Sequence, residues 1–159
     1  MTKRSFIWLI VFLALPFVVG AIGSFATMPS IPTWYQGLTK PPINPPNWIF
    51  GPVWTMLYLF MGYASYRIFK KEVRSPKLKK EALTVYAVHL LLNGLWSVAF
   101  FGLQSPLYGL LVIIPLLLLV MWAMFLFRRL DTIAGVLFIP YVLWVSFATY
   151  LNVTIFVLN

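Results

Sequence analysis

Residues 107–127 read LYGLLVIIPLLLLVMWAMFLF, and none of these twenty-one positions carries a charged side chain. A helix needs about 20 predominantly apolar residues to cross the hydrocarbon core of a bilayer. Lipid offers the backbone no hydrogen-bond partners, so an apolar run in a membrane must satisfy its own peptide groups as a helix. The stretch therefore predicts a membrane-spanning helix, and it sets the fold class of the chain.

Three further apolar runs precede this stretch in the sequence, and a fourth follows it. Hydrophobic residues make up 62% of the 159 residues and charged residues only 9%, whereas a soluble domain carries about 25% charged residues. We therefore predict an all-α membrane protein, a five-transmembrane-helix bundle that forms a single domain over residues 1–159. The predicted helices are 6–26, 48–69, 82–101, 106–127 and 133–158.

The segment 27–47, between the first two predicted helices, contains six prolines. Proline lacks a backbone N–H and disfavours helical conformation in the residue before it. The sequence therefore predicts an extended loop, partly in the polyproline II conformation, that packs on the helices and caps one end of them.

The basic residues are distributed unevenly between the two ends. With five spans, eleven of the twelve Lys and Arg residues fall on the side of the N-terminus, and only Lys40 falls on the other. This asymmetry predicts a cytoplasmic N-terminus and a C-terminus on the opposite side, in what we expect to be a bacterial cell membrane. The run Lys70–Lys80 is interpreted as a determinant of topology, with an anionic-lipid site as the alternative. Asp131 is expected to form a surface pair with Arg128 or Arg129.

The first apolar run has a second interpretation. Lys3 and Arg4, the apolar run and the small residues near Ala26 resemble a cleavable secretory signal peptide. The apolar part of a signal peptide is about 7–15 residues long, however, and this run is nearer 20. A retained helix is therefore favoured, although cleavage would leave four helices in the same orientation.

The composition excludes several kinds of chemistry. The chain has no cysteine, one histidine and three acidic residues. It therefore cannot form disulfides or a thiolate nucleophile, and it has few ligands for a metal ion and no evident carboxylate pair. The net charge of +9 does not predict a nucleic-acid partner, because the chain has little wettable surface on which to bind one.

Helical spacing gathers aromatic and polar side chains beneath segment 27–47. On three helices such residues recur every three or four positions, and their depths agree at about 1.5 Å per residue. They predict a pocket between the helices for a flat, aromatic and largely apolar ligand. The residues on these faces are Trp54, Tyr58, Asn93, Trp144 and Ala148. Asn93 either contacts the ligand or joins two helices, and His89 is expected to form an interhelical hydrogen bond rather than bind a metal or haem.

Blocks of residues in segment 27–47 and on three of the predicted helices carry a family resemblance. They are WYQGLTKPP at 34–42, PVWTMLY at 52–58, LNGLWS at 92–97 and the segment 140–152, which begins PYVLW. In order and spacing these blocks resemble the TspO/translocator protein family of tryptophan-rich sensory proteins, which are related to the peripheral-type benzodiazepine receptor.

The resemblance implies a five-helix membrane protein, often a homodimer, with no built-in cofactor. Such proteins bind porphyrin or haem-type tetrapyrroles, and isoquinoline- or benzodiazepine-type ligands, as sensors, scavengers or carriers. Trp54 and Trp144 match the Trp pair tied to porphyrin binding, and the pocket-lining positions match Tyr35, Tyr58, Asn93 and Ala148. The cholesterol motif that eukaryotic members carry after the last Leu-Asn is missing beyond Asn152, so sterol binding by that motif is not expected.

Two alternatives remain open from the sequence. One is an enzyme-like activity, the light- and oxygen-dependent degradation of porphyrin, with Trp54 and Trp144 as the catalytic residues. The other is a purely structural membrane partner, in which small residues such as Gly20 and Ser24 form contacts between copies of the chain.

Overall fold

A computed structural model describes residues 3–159, so the first two residues of the predicted domain lie outside the described part. Within those residues the regular structure is entirely helical, without a strand. Two single π turns, Ile31–Tyr35 and Val98–Gly102, extend α1 and α3. The helices are α1 Lys3–Ser30, α2 Asn47–Lys70, α3 Pro76–Ser97, α4 Pro106–Leu130, α5 Thr132–Leu137 and α6 Ile139–Leu158.

Four helical segments are long and apolar enough to cross a membrane. They are Lys3–Tyr35, Pro76–Gly102, Pro106–Leu130 and Thr132–Leu158. The helix α2 is also long, with 24 residues, but Trp, Tyr, Gly and Ser residues lower its hydropathy. Several of these less apolar residues face the protein interior, because Gly62, Ser65 and Tyr66 are all buried.

The helices pack through close contacts at small residues. The helix α4 packs against α3, α5 and α6, and α1 packs against α2 and α3. Where α1 crosses α2, a Cβ atom on Gly62 would lie only 2.7 Å from the Phe12 carbonyl oxygen. Only glycine allows the two backbones to approach this closely, which is how helices associate in lipid.

Side-chain caps mark the starts of three helices at the polar breaks in the sequence. The Leu78 N–H donates to Ser75 Oγ at 3.3 Å, at the start of α3. An equivalent serine, Ser105, accepts from the Tyr108 N–H at 3.3 Å at the start of α4. The Asp131 carboxylate accepts from the Ala134 N–H at 3.0 Å at the start of α5. These bonds satisfy amide groups that have no partner within their helix.

The prediction of an extended loop over residues 27–47 is wrong for about its first half. The π turn ends at Tyr35 and residues 36–37 are still helical, so within this segment only residues 38–46 are non-helical. The missing N–H of Pro32 is accommodated by widening one turn into a π turn. Contacts with the end of α3 hold this turn in place, because Ser30 Oγ donates to the Phe101 carbonyl at 2.8 Å and the Trp34 ring lies 5.4 Å from that of Phe100.

Three junctions meet at the basic end of the molecule. Ser5 Oγ and the Tyr66 hydroxyl are hydrogen-bonded at 2.6 Å, which joins the start of α1 to the end of α2. Arg67 pairs with Asp131 at 2.9 Å, and Lys71 approaches the same carboxylate at 3.4 Å. The expected pairing of Asp131 with Arg128 or Arg129 is therefore wrong, since its partners lie at the end of α2, 64 and 60 residues earlier in the chain.

The Asp131 carboxylate is buried, with its side chain only 7% exposed. Burial alone would raise the pKa of Asp131, but the hydrogen bonds from Arg67 and the Ala134 N–H, together with the charges of Arg67 and Lys71, lower this pKa to about 2. The carboxylate therefore remains ionised and ties α2 to the start of α5.

Candidate functional site

A cavity of about 500 Å³ lies between α1, α2 and α3 at the end opposite Asp131. Its volume falls in the range of about 300–1,000 Å³ that is typical of small-molecule sites. Among residues 3–159, no side chain that lines the cavity carries a charge, and most are aromatic or apolar. The lining residues are Phe17, Gly20, Ala21, Ser24, Thr27, Met28, Ile31, Tyr35, Asn47, Phe50, Gly51, Trp54, Thr55, Tyr58, Asn93, Trp96, Ser97 and Phe101.

The helix α1 contributes a stripe of mostly small residues to this cavity. The Ser24 and Thr27 hydroxyls donate to carbonyls one turn back in α1, at 2.9 and 3.0 Å. Because both hydroxyl protons are hydrogen-bonded within α1, this wall of the cavity offers few donors to a ligand. A Cβ atom on Gly20 would overlap the Tyr58 ring. Gly20 and Ser24 therefore both line the cavity, and their role as contacts between copies of the chain stays a prediction.

The helix α2 supplies the aromatic wall. The ring centroids of Trp54 and Tyr58 lie 5.4 Å apart, one helical turn from each other. Phe17 on α1 contacts Tyr58 edge-on at 5.5 Å, and Tyr141 on α6 contacts Trp54 edge-on at 6.2 Å. Each of these rings is held by a neighbouring ring, so the wall is assembled before any ligand arrives.

The helix α3 contributes Asn93 and Trp96, and both are fixed by hydrogen bonds to α6. Asn93 Nδ2 donates to the Tyr141 hydroxyl at 3.0 Å, so Asn93 both lines the cavity and joins two helices. Trp96 Nε1 donates to Asn152 Oδ1 at 3.1 Å, and Asn152 Nδ2 donates to the Pro106 carbonyl at 2.8 Å. The orientation of the Trp96 ring is therefore set by a chain of bonds through three helices.

Segment 35–44 reaches the cavity through Tyr35, which belongs to the lining. The Tyr35 side chain is buried, and its hydroxyl donates to Asn44 Oδ1 at 3.1 Å. Its ring lies 5.4 Å from that of Phe101, and the Lys40 ammonium lies 4.8 Å from the ring centroid. Lys40 also donates to the Leu38 carbonyl at 3.0 Å. The segment is thus folded onto the end of α3.

The Asn159 side chain ties the same segment to the end of α6. The Thr39 N–H donates to Asn159 Oδ1 at 3.0 Å, and Asn159 Nδ2 donates to the Thr39 carbonyl at 3.1 Å. The amide therefore pairs with both backbone groups of Thr39, and it holds the segment against the end of α6.

The structure brings four of the six predicted binding residues together and leaves two apart. Tyr35, Trp54, Tyr58 and Asn93 line the cavity. Trp144 lies behind Phe50, whose ring is 5.6 Å from it, and its Nε1 atom is buried without a hydrogen-bond partner among residues 3–159. Ala148 is buried in the main core one turn further along α6.

Four aromatic residues of the cavity lining were not among the predicted binding residues: Phe17, Phe50, Trp96 and Phe101. Their spacing could have found two of them, because Phe50 precedes Trp54 by four positions and Trp96 follows Asn93 by three. Phe101 lies on the π turn Val98–Gly102, where regular helical spacing no longer predicts which way a side chain faces.

His89 lies in the closed core rather than in the cavity. Its side chain is fully buried, and its ring is packed 5.1 Å from that of Tyr86 and 5.6 Å from that of Tyr141. Neither ring nitrogen has a hydrogen-bond partner within the described residues. The expected interhelical hydrogen bond is therefore not formed. The described part of the chain also holds no group of three His, Cys, Asp or Glu residues that could bind a metal ion.

Comparison with known proteins places this arrangement in a family. A model of the TspO/MBR family matches residues 12–158. The chain belongs to the TspO/MBR family. The match covers all of the cavity lining, so the site belongs to the part of the chain that defines the family. Together with the apolar helices, membership identifies the chain as an integral membrane protein.

Relatives of this TspO/MBR family member occur in bacteria and in animals. The chain is 38% identical to the tryptophan-rich protein TspO of Chlorobaculum tepidum, over 99% of both chains. It is 42% identical to a tryptophan-rich sensory protein of Cereibacter sphaeroides, over 75% of this chain and 72% of that one. It is 34% identical to the translocator protein of Bos taurus, over 89% of this chain and 83% of that one. The resemblance drawn from the sequence blocks is therefore confirmed.

Proposed function

We propose that this TspO/MBR family protein binds a porphyrin-like tetrapyrrole in the cavity between α1, α2 and α3, as a sensor, scavenger or carrier. The observation that carries the proposal is the cavity of about 500 Å³ with aromatic rings from several helices in its wall. Flat ligands with smaller ring systems, of the isoquinoline or benzodiazepine type, fit the same wall.

The chemistry of the wall favours a planar and mostly apolar guest. Aromatic pairs contribute about 0.5–1.5 kcal/mol each beyond the apolar area that they bury, and Trp54, Tyr58 and Trp96 each present a ring. The Asn93 amide supplies a polar contact that would orient the guest. The lining contains no histidine, so binding would rest on ring contacts rather than on an imidazole ligand to iron.

The proposed orientation in the membrane follows the charges. We infer that α2 is a fifth span within a helix bundle, because it matches its neighbours in length and packs against α1 and α5. The basic end then faces the cytoplasm of a bacterial cell. The cavity lies in the opposite half, so its guest would enter from the non-cytoplasmic side or from the bilayer.

Trp144 and Ala148 are proposed as contacts of a larger guest. Phe50 separates Trp144 from the cavity, so rotation of the Phe50 ring would extend the cavity toward α6. The buried Nε1 of Trp144 has no hydrogen-bond partner among residues 3–159. It would then donate a hydrogen bond to an acceptor atom of the guest. A buried donor without a partner costs about 1–3 kcal/mol, which a guest with a suitably placed acceptor would recover.

Titration of the purified chain with protoporphyrin IX, followed by tryptophan fluorescence, tests the proposal. Trp54→Ala should weaken binding about tenfold, because it removes one face of the wall. Trp122→Ala is the matched control, since Trp122 is 44% exposed on α4 and lies outside the cavity lining. Equal affinities of the two variants would contradict the site, and an absence of saturable binding in the unaltered chain would favour a purely structural protein.

Light-dependent degradation of the porphyrin is the rival function. It requires Trp54 and Trp144 beside the same guest. Only Trp54 lines the cavity before Phe50 rotates, so the present geometry favours binding. Illumination of the bound complex in air distinguishes the two. A breakdown rate above that of free porphyrin, which falls in Trp54→Phe and Trp144→Phe, would favour the enzyme-like activity.

A further inference from the structure

A second concave surface lies at the basic end, far from the cavity. This groove has a volume of about 800 Å³ and is bounded by the end of α2, residues 71–75 and the outer face of α3. Its rim is formed by Lys70, Lys71, Lys79 and Lys80, with Glu72 as the only acidic residue among them. Four ammonium groups against one carboxylate make the rim strongly attractive to an anion.

Beyond the rim the groove becomes apolar. Its wall follows one face of α3, where lining residues recur every three or four positions: Leu83, Thr84, Ala87, Val88 and Leu91. Val88 is 42% exposed and Leu91 is 69% exposed. The opposite face of α3, which includes Tyr86 and Leu90, is buried in the core. The groove therefore lies on the face of α3 that the protein leaves uncovered.

The length of this wall matches one leaflet of a bilayer. From Lys80 to Leu91 the helix rises about 16 Å, at about 1.5 Å per residue. The hydrocarbon core of a bilayer is about 30 Å thick, so the wall runs from the headgroup level to about the midplane. Among membrane lipids, a phospholipid with an acidic headgroup matches both the basic rim and the length of this apolar wall.

Two of the four lysines are free to bind such a headgroup. The Lys71 ammonium approaches Asp131 at 3.4 Å, and Lys79 Nζ donates to the Lys71 carbonyl at 2.8 Å. Lys70 and Lys80 are exposed, and neither has a hydrogen bond or ion pair to another described side chain. The groove thus begins at two ammonium groups that the protein itself does not neutralise.

We propose that this groove holds one phospholipid with an acidic headgroup, such as phosphatidylglycerol. The phosphate lies between Lys70 and Lys80, and an acyl chain follows Leu83, Ala87 and Leu91. Zwitterionic lipids share the apolar contacts, but their own positive group offsets the attraction of the lysines. The site is independent of the guest in the cavity.

The experiment measures phosphatidylglycerol and phosphatidylcholine retained by the full chain in mild detergent, by native mass spectrometry with lipid titration. The variant Lys70→Gln/Lys80→Gln should bind phosphatidylglycerol about 30-fold more weakly, because each lysine near an anionic lipid contributes about fivefold. The control Arg74→Gln/Lys77→Gln removes the same charge from the same basic run at two residues outside the groove lining, and it should bind as the unaltered chain does. Ala87→Phe narrows the groove without a change in charge and should also weaken binding.

Three results would overturn the proposal. Equal losses in the two double variants would mean that the lysines act only through diffuse surface charge. Equal retention of phosphatidylcholine and phosphatidylglycerol would remove the role of the headgroup. Unchanged binding in Ala87→Phe would place the lipid elsewhere. Thermal unfolding of each variant checks that the chain remains folded.

Discussion

The same helices enclose a cavity at one end of this protein and a solid core at the other. At the loop end, α2 and α3 carry Trp54 and Trp96, large side chains that hold the backbones apart around the void. At the basic end, neighbouring helices carry alanines that are completely buried: Ala64, Ala82, Ala123 and Ala134. Small residues let helices approach closely in a membrane. The size of the side chain at each depth therefore decides where a space for a ligand can form.

The largest expected effect comes from adding volume at the solid end. Ala123→Leu should lower the free energy of unfolding by about 3 kcal/mol, because a closed core has no room for three further carbon atoms. Ala21→Leu makes the same change in the cavity wall, so it should leave stability nearly unchanged and weaken porphyrin binding. Thermal unfolding and ligand titration of both variants make the test. An equal loss of stability in Ala123→Leu and Ala21→Leu would mean that the two ends of the protein do not differ in packing.

A smaller effect is expected at the junction that closes the basic end. Asp131→Asn removes the charge that faces Arg67 and Lys71 and should cost about 2 kcal/mol of unfolding free energy at pH 7. The pKa of Asp131 is lowered to about 2 from an ordinary value of 3.8. The contribution of the Asp131 carboxylate to the free energy of unfolding is therefore complete above about pH 4, and it is lost as the pH falls through about 2.

Unfolding measured from pH 7 to pH 2 sharpens this prediction. The unaltered chain and Asp131→Asn should differ most at neutral pH and converge in acid. Glu72→Gln is the control, because Glu72 is exposed and forms no ion pair among the described residues. A difference that persists undiminished at pH 2 would show that the variant acts through packing rather than through charge.

The smallest effect is expected at the loop end. Asn159→Ala removes both hydrogen bonds to Thr39 and should cost no more than about 1 kcal/mol, since these groups are exposed and water replaces their partners. Hydrogen exchange at the Thr39 amide should accelerate, while exchange in the core of α4 should not change. Thr154→Ala, which removes a hydroxyl bonded only to its own helix, is the control. Unchanged exchange at Thr39 would mean that the segment is held without Asn159.

Local sequence features predicted the long helices and the breaks between them well, because apolar runs and capping residues act over a few positions. The breaks at Ser75, Ser105 and Asp131 are each stabilised by a side chain within three residues. The continuation of α1 through Pro32 could not be predicted locally, because Ser30 bonds to Phe101, 71 residues away. The pairing of Asp131 with Arg67 likewise depends on how the helices assemble.

The candidate site was predictable only in part for a similar reason. Periodicity selects the face of a helix, and it placed Trp54, Tyr58 and Asn93 correctly around one space. It does not say which other side chain stands between that face and the space. Trp144 faces the part of the protein that holds the cavity, but the Phe50 ring lies between Trp144 and the cavity. This arrangement is visible only in the packed structure.

The π turn Ile31–Tyr35 fixes which way the residues beyond it face. A π turn contains one residue more than an α-helical turn, and each residue advances a helix by about 100°. Without that extra residue, Tyr35 would be rotated by more than a quarter of a circle away from Phe101 and the space below. The additional residue in this one turn therefore determines the direction of the Tyr35 ring, which contacts Phe101 and lines the cavity.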